Sequence, residues 1–499
     1  MKQIRKSEKL YDGITDINEN LVKSAQADEN KTAGSHWKKR VYAAAAVALA
    51  AAAAVCIMLW PRGAADTVTA HALAEADYPE MAPFPDETKY MRNGELDFDA
   101  YMEDYGVWWA DIRQRGELTG YEKGLDGFLQ RSTKQFLSGA GEKNIAYSPL
   151  NVYMALGMLA ELTDGDSRQQ VLDLLGSGDM EQLRRQASDL WNANYRSDGA
   201  VYSVLASSIW LNEDVDIVQK TMDTLAEIYY ASAYQGKMGS KELNQMFQNW
   251  LNEQTGGLLK EQVSSIGLNP QTVLALATTV HYQAKWYNEF SKEKTKAGVF
   301  HTASKDVDCD FMHKEKSDEH YYWGEKFSAV AQNLDESGSM WFILPDEGVS
   351  IDELLSDEQA VEFLMSEEKR AEWEDKKYLM VNLSVPVFDI TSQIQLEDGL
   401  KALGVTDVFD ADRSDFSPMT KKLDGIYIST AEHAVRVTVD EEGVSAAAYT
   451  VMMADAGGAM PPEKEVDFIL DRPFLFVITG NDGLPLFTGV VNDPVSDKG

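Results

Sequence analysis

Two cysteines in 499 residues, Cys56 and Cys309, are too few and too far apart for a disulfide framework. Whatever holds this chain together is packing. Basic side chains are scarce as well: 46 Lys and Arg stand against 81 Asp and Glu, a formal net charge of −35. A surface with no spare positive charge has nothing to neutralise phosphates, which excludes nucleic-acid partners; the same charge keeps a protein soluble. Catalytic signatures are missing too: there is no G-x-S-x-G, H-E-x-x-H, P-loop or G-x-G-x-x-G. The seven histidines (His36, His71, His281, His301, His313, His320 and His433) show no metal-ligand spacing. His313 and His320 flank a charged loop and read as solvated, and His433 reads as a satisfied core histidine. The run Ser366-Glu367-Glu368 reads as a solvated helix face. Neither an enzyme nor a cofactor or metal is expected.

What is present begins with a change of charge. Residues 1–40 are polar, with nine basic against six acidic side chains. Val41 to Trp60 then runs twenty residues without a charge. At about 1.5 Å per residue this spans roughly 30 Å, the thickness of a bilayer core. Lys38, Lys39 and Arg40 precede it, and Trp37 and Trp60 flank it as interfacial aromatics. The positive-inside rule puts 1–40 in the cytoplasm and the rest outside, on a single-pass signal anchor in the cell membrane. The competing reading is a cleaved leader and a secreted product, because Ala70-His71-Ala72 resembles a cleavage site. Residues 61–120 read as an extracellular linker: a Pro-bearing acidic tether, then a short helix whose Tyr101, Tyr105, Trp108 and Trp109 pack on the domain.

From residue 121 to 494 the pattern is that of a folded domain. LDGFLQRSTKQFL has helical apolar spacing, Ser148-Pro149 starts a second helix, and a third begins after Asp164-Gly165 and ends at Gly176. Another helix falls near 240–255. Strand patterns follow in TVLALATTVHYQAKW, SMWFILP and LMVNLSVPVFDI. Helices first and many strands after describe an α+β fold with mostly antiparallel sheets.

The chain is organised around Val439 to Val466. Val435, Val437 and Val439 alternate with polar residues before it, and the buried strands PFLFVITG and PLFTGVV follow it. A connection this long inside a compact domain is usually functional or disordered. Its composition is not that of disorder. From Val444 every second residue is apolar or small, through Ala446, Ala448, Thr450 and Met452. Ser445, Ala447, Tyr449 and Val451 make the other face, Gly443 gives a pivot, and Pro461-Pro462 stiffens the exit. The stretch describes either a loop able to become a strand or a β-hairpin with a floppy tip.

Five blocks, in order, resemble the serpin family over residues 121–494: NIAYSPLNVYMALGMLAELTDGDSRQQ, LNQMFQNWLNEQTGGLLKEQV, TVLALATTVHYQAKWYNEF, FDITSQIQLEDGLKALGVTDVFDADRSDF, and DEEGVSAAAYT with DRPFLFVITGNDGLPLFTGVVNDP. The resemblance implies about nine helices packed on three mainly antiparallel β-sheets, with an exposed reactive-centre loop at about 441–465. It implies a monomer that traps a serine, or a cysteine, protease as a covalent acyl-enzyme, by inserting the cleaved loop into the large sheet. The hinge would be Glu441, Glu442, Gly443, Val444, Ser445, Ala446, Ala447, Ala448, Tyr449 and Thr450; the shutter Asn144, Ser148, Asn151 and His433; the breach tryptophan Trp286. Val444 and Tyr449 depart from the family's small or hydroxylated hinge residues. Thr278 stands where the shutter generally has Asn, so that network is expected to be altered. Fourteen residues on from Gly443 places the reactive bond at Gly457–Gly458, with Ala456 and Ala459 as alternates. No Lys or Arg lies between 444 and 463, which points to elastase-like or subtilisin-like enzymes. The alternative is a non-inhibitory member serving as a cell-surface binding or scaffold module. An anchored, disulfide-free member suits a bacterial surface.

Overall fold

A computed structural model describes residues 71–92, 95–116, 120–257, 266–422, 425–428, 431–444 and 464–496. The polar tail 1–40 and the uncharged run 41–60 lie outside these residues. No helix among the described residues is long and apolar enough to cross a membrane.

The helices form where sequence chemistry starts and stops them. Ser240 caps Lys241–Gln254 through its side chain, and Asp179 does the same for Met180–Asn194. Gly165–Leu175 ends at Gly176, in the left-handed region at φ 71°. Pro149–Leu162 departs from expectation. Pro149 opens it, but the Ser148 hydroxyl makes no capping bond. The Ser148 N–H instead donates to His433 Nε2 at 3.0 Å, which pins the start of this helix to a strand of the large sheet. Thirteen of its fourteen residues are buried, as befits a helix enclosed on all sides. Among the described residues there are eleven α-helices, ten of them within 121–494, where the resemblance implied about nine.

The large sheet has eight strands. In spatial order seven of them are Ala72–Ala74, Ala231–Gly236, Tyr202–Asn212, Leu274–Lys285, Gly443–Val444, Glu432–Val439 and Phe388–Gln395, and Arg196–Ser197 pairs with Tyr202–Asn212. Pairing is antiparallel except between Tyr202–Asn212 and Ala231–Gly236. Pro149–Leu162 packs against this sheet, and Trp210 meets Phe247 of Lys241–Gln254 edge to face at 5.2 Å.

The remaining main strands form one nine-stranded sheet, not two separate ones. The join is Asp306–Trp323, eighteen residues long. Its first part pairs with Lys296–His301 and its end with Phe327–Asn333. A register shift between Lys314 and Ser317, with Lys316 at φ 54°, bends it between the two. His313 and His320 therefore sit on a strand and not beside a loop, and His313 is half-buried with Nδ1 2.8 Å from Ser384 Oγ. The third sheet is a hairpin, Met91–Arg92 with Glu95–Leu96. The strands Phe474–Thr479 and Pro485–Val491 are buried at every position, as their unbroken apolar runs require.

Candidate functional site

Glu432–Val439 is half-buried by alternation and ends at Asp440. Asp440 Oδ1 accepts the backbone N–H of Glu442 at 2.9 Å and of Gly443 at 3.2 Å, and its own N–H donates to Gly443 O at 3.1 Å. This Asx turn reverses the chain. Val444 then lies opposite Val439 on one side and Ala284 on the other, and Gly443 lies opposite Lys285. The first residues past the turn have thus begun a strand inside the sheet. Among the described residues, the hydrogen-bonded order of the sheet passes from Leu274–Lys285 to Glu432–Val439 through these two residues. Glycine is needed at the entry: a Cβ on Gly443 would stand 2.3 Å from Ala284 O and 2.8 Å from Lys285 Cα. Val444 is 2% exposed, so its β-branched side chain is accepted into the core.

The segment after Leu274–Lys285 holds the turn from above. Trp286, 2% exposed, donates its backbone N–H to Glu442 O at 3.1 Å and its indole Nε1–H to Asp440 O at 2.8 Å. Phe290 N–H reaches Glu441 O at 3.0 Å, and Thr295 Oγ1 donates to Glu441 Oε1 at 2.6 Å. The Lys292 ammonium pairs with the Glu442 carboxylate. Lys314 lies behind, its Nζ 4.2 Å from the Phe290 ring centroid and donating to Gln332 Oε1 at 2.6 Å; burial pushes its pKa down to about 8. Asp440, Phe290, Lys292 and Thr295 were not singled out from the sequence. The D-x-x-G spacing of a four-residue turn was the one sign available for Asp440.

Below the turn the expected shutter comes together only in part. Ser148 meets His433 through the backbone bond already described, and the Tyr147 ring stands edge-on to the imidazole at 5.5 Å. The His433 Nδ1, the Ser148 hydroxyl and the whole Asn151 amide are buried with no hydrogen-bond partner among the described residues. Thr278 is half-buried on the neighbouring strand. Asn144 belongs elsewhere: its amide donates to Asp493 O at 2.7 Å and accepts from Asn492 and Asp493 N–H, tying down the C-terminal segment. Burial pushes the imidazole of His433, and that of His281 on Leu274–Lys285, down to about 4. Ser445 to Thr450 of the hinge, and Ala456, Gly457, Gly458 and Ala459 around the reactive bond, lie outside the described residues.

Gly443 and Val444 thus hold a strand position between two sheet neighbours, entered after an acidic turn. The family model for serpins (serine protease inhibitors) matches residues 124–494. The chain belongs to the serpin family. Serpin-Z2A of Oryza sativa subsp. japonica is 26% identical over 423 residues, covering 75% of this chain and 98% of its own. The leukocyte elastase inhibitor of Homo sapiens is 28% identical over 361 residues, covering 70% and 93%. Among solved structures, the thermophilic serpin tengpin in its native state superposes with a TM-score of 0.65 at 25% identity, over 74% of this chain and 93% of that one. Thyroxine-binding globulin in complex with thyroxine, at 20% identity and a TM-score of 0.61 over 74% of this chain and 99% of its own, shares the fold.

Two outcomes follow from this serpin's geometry. Gly443→Ala should force the hinge off Ala284 at an overpacking cost of about 1–3 kcal/mol, read as a lower denaturant midpoint; an unchanged midpoint would mean the hinge is not seated. His433 and His281 are held neutral in the fold and take up protons once unfolded. Stability is therefore full above about pH 6.5 and falls as the pH drops towards about 4, by about 1.4 kcal/mol per pH unit for each histidine. Urea unfolding across that window measures the slope, and His433→Gln should make it shallower.

Proposed function

We propose that this serpin is a suicide-type inhibitor of serine proteases that traps the acyl-enzyme by drawing its cleaved loop into the large sheet. It acts on a protease as bait and is not itself a catalyst. The observation that carries the reading is the Gly443–Val444 strand between Leu274–Lys285 and Glu432–Val439. Continued at the same register, that strand would place Thr450 between Thr278 and His433, and Ala454 opposite Leu274 at the far end. Leu274–Lys285 is 12 residues long. Residues 443–454 contain no charge and no proline, and Asp455 comes next. Length and composition therefore match the slot, and a buried unpaired charge would cost several kcal/mol.

Alternation from Val444 puts Ala446, Ala448, Thr450, Met452 and Ala454 on the face it buries, and Tyr449 on the other. Ladder bonds of about 1 kcal/mol each on both sides, with burial of these side chains, sum to on the order of ten kcal/mol, enough to compete with deacylation of a distorted protease. The reactive bond is then Gly457–Gly458, with Ala456 and Ala459 as alternates. Small residues suit a shallow specificity pocket, and one relative bears the name leukocyte elastase inhibitor. We place the domain outside a bacterial-type cell on the residue 41–60 anchor.

Elastase or subtilisin should yield an SDS-resistant adduct, and cleavage within 456–459 should raise the melting temperature of the free protein by tens of degrees. Cleavage with neither adduct nor stabilisation would leave the non-inhibitory binding module as the reading. For the anchor, the full chain should stay in the membrane pellet after alkaline carbonate extraction. Release to the supernatant would remove it.

A further inference from the structure

Residues His71 to Gly116 lie outside the 124–494 family match, yet they are packed on the domain at defined places. Ala72–Ala74 adds to the edge of Ala231–Gly236, with Ala72 opposite Tyr234. Tyr78 packs 5.3 Å from Trp191 and 5.7 Å from Tyr195. The helix Phe98–Gly116 turns Tyr101, Tyr105 and Trp108 inward, where Phe84 meets Trp108 edge to face at 5.0 Å.

Trp108 is fully buried, and its indole Nε1–H donates to Asp198 Oδ2 at 3.0 Å. The same carboxylate accepts Arg196 Nε–H at 2.7 Å, and both members of this ion pair are buried. Arg196 Nη1 in turn donates to Glu336 O at 2.9 Å, and burial with the Glu336 carboxyl nearby raises the pKa of the Tyr105 hydroxyl. Glu336 sits at φ 51°, a left-handed conformation costly for a non-glycine residue and kept only where neighbours impose it. The turn it occupies joins the end of Leu274–Lys285. Asp335 N–H donates to Lys285 O at 2.7 Å, Tyr287 N–H donates to Asn333 O at 3.0 Å, and Trp286 bridges to Leu334. Lys285 is the residue opposite Gly443.

We infer that His71–Gly116 is a brace for the breach: Trp108 and Tyr105 act as positioning residues that hold the Glu336 turn, and through it the strand end that receives Gly443, in the shape the hinge must enter. The consequence for inhibition rests on the proposed function. A loosened brace leaves the entry poorly formed, so insertion slows and more protease completes hydrolysis and escapes.

The test uses the full chain with Tyr105→Phe and Trp108→Phe, and with Tyr90→Phe as control. The Tyr90 hydroxyl donates to Asp104 on the helix that carries Tyr105 and Trp108, and takes no part in the chain of bonds from Trp108 through Asp198 and Arg196 to Glu336. In the uncleaved protein, hydrogen exchange at the amides of Trp286, Tyr287 and Asp335 should quicken about five-fold in Trp108→Phe, the worth of one hydrogen bond, and by less in Tyr105→Phe. The number of inhibitor molecules consumed per elastase trapped should rise by a similar factor, while Tyr90→Phe stays at the wild-type values. Unchanged exchange in both variants, or an equal rise in Tyr90→Phe, overturns the brace. A wild-type protein that gains no heat stability on loop cleavage overturns the inhibitor reading instead, and the exchange result still decides whether the extension braces the breach.

Discussion

The structure turns on a requirement of the peptide backbone: every buried N–H and C=O must find a partner. Leu274–Lys285 and Glu432–Val439 run parallel to each other, and among the described residues their hydrogen-bonded link is Gly443 and Val444, which stand between them. Long strands in the middle of a sheet need neighbours along their whole length, and a parallel pair cannot share a tight hairpin. A third strand, antiparallel to both, is the geometry that satisfies them, and the Asp440 turn delivers the chain in that direction. The buried Pro149–Leu162 helix beneath and the Trp286–Thr295 segment above are arranged around that entry.

Charge marks the two ends of the segment proposed to enter. The chain is strongly acidic, yet its neutral twelve residues are bracketed by Asp440, Glu441 and Glu442 on one side and Asp455 on the other. At the entry the acids are accommodated at the surface: Lys292 and Thr295 take the two glutamates, and Asp440 is spent on the turn. The shutter is built differently. Its buried hydroxyl, amide and imidazole nitrogen are left unpartnered among the described residues, and such groups cost free energy until something meets them. Stability is concentrated at the breach and withheld at mid-sheet.

Much of this was legible in the sequence, because much of it is local. The Val435–Val439 alternation, the Gly176 stop and the all-apolar C-terminal strands depend on residues a few positions apart, and each appears where its pattern put it, whereas Gly443, read as a pivot, is a strand residue whose missing side chain admits Ala284 O. Trp286 could be placed from its block, and it does hold the turn. What escaped is long-range. The Ser148 hydroxyl makes no capping bond, and its N–H goes to His433, nearly three hundred residues on. Asn144 is drawn to the C-terminal segment by contacts that no spacing encodes. The run containing His313 and His320 is polar enough to read as a loop, but a bulge lets it stay in the sheet. Residues 72–92 read as tether because their partners, Tyr234, Asp198 and Trp191, lie more than a hundred positions away.

The three-residue strand Ala72–Ala74 has one more effect. Ala231–Gly236 would otherwise be the outer strand of the large sheet on that flank, with a free row of backbone donors and acceptors on show. Such a border invites a strand from a neighbouring molecule, which is how sheets grow into aggregates. Under the proposed function the sheet accepts a new member, which exposes the protein to that hazard more than most. Covering part of this border with a strand of only three residues leaves a shorter edge on this flank, one of the ways natural sheets blunt such borders.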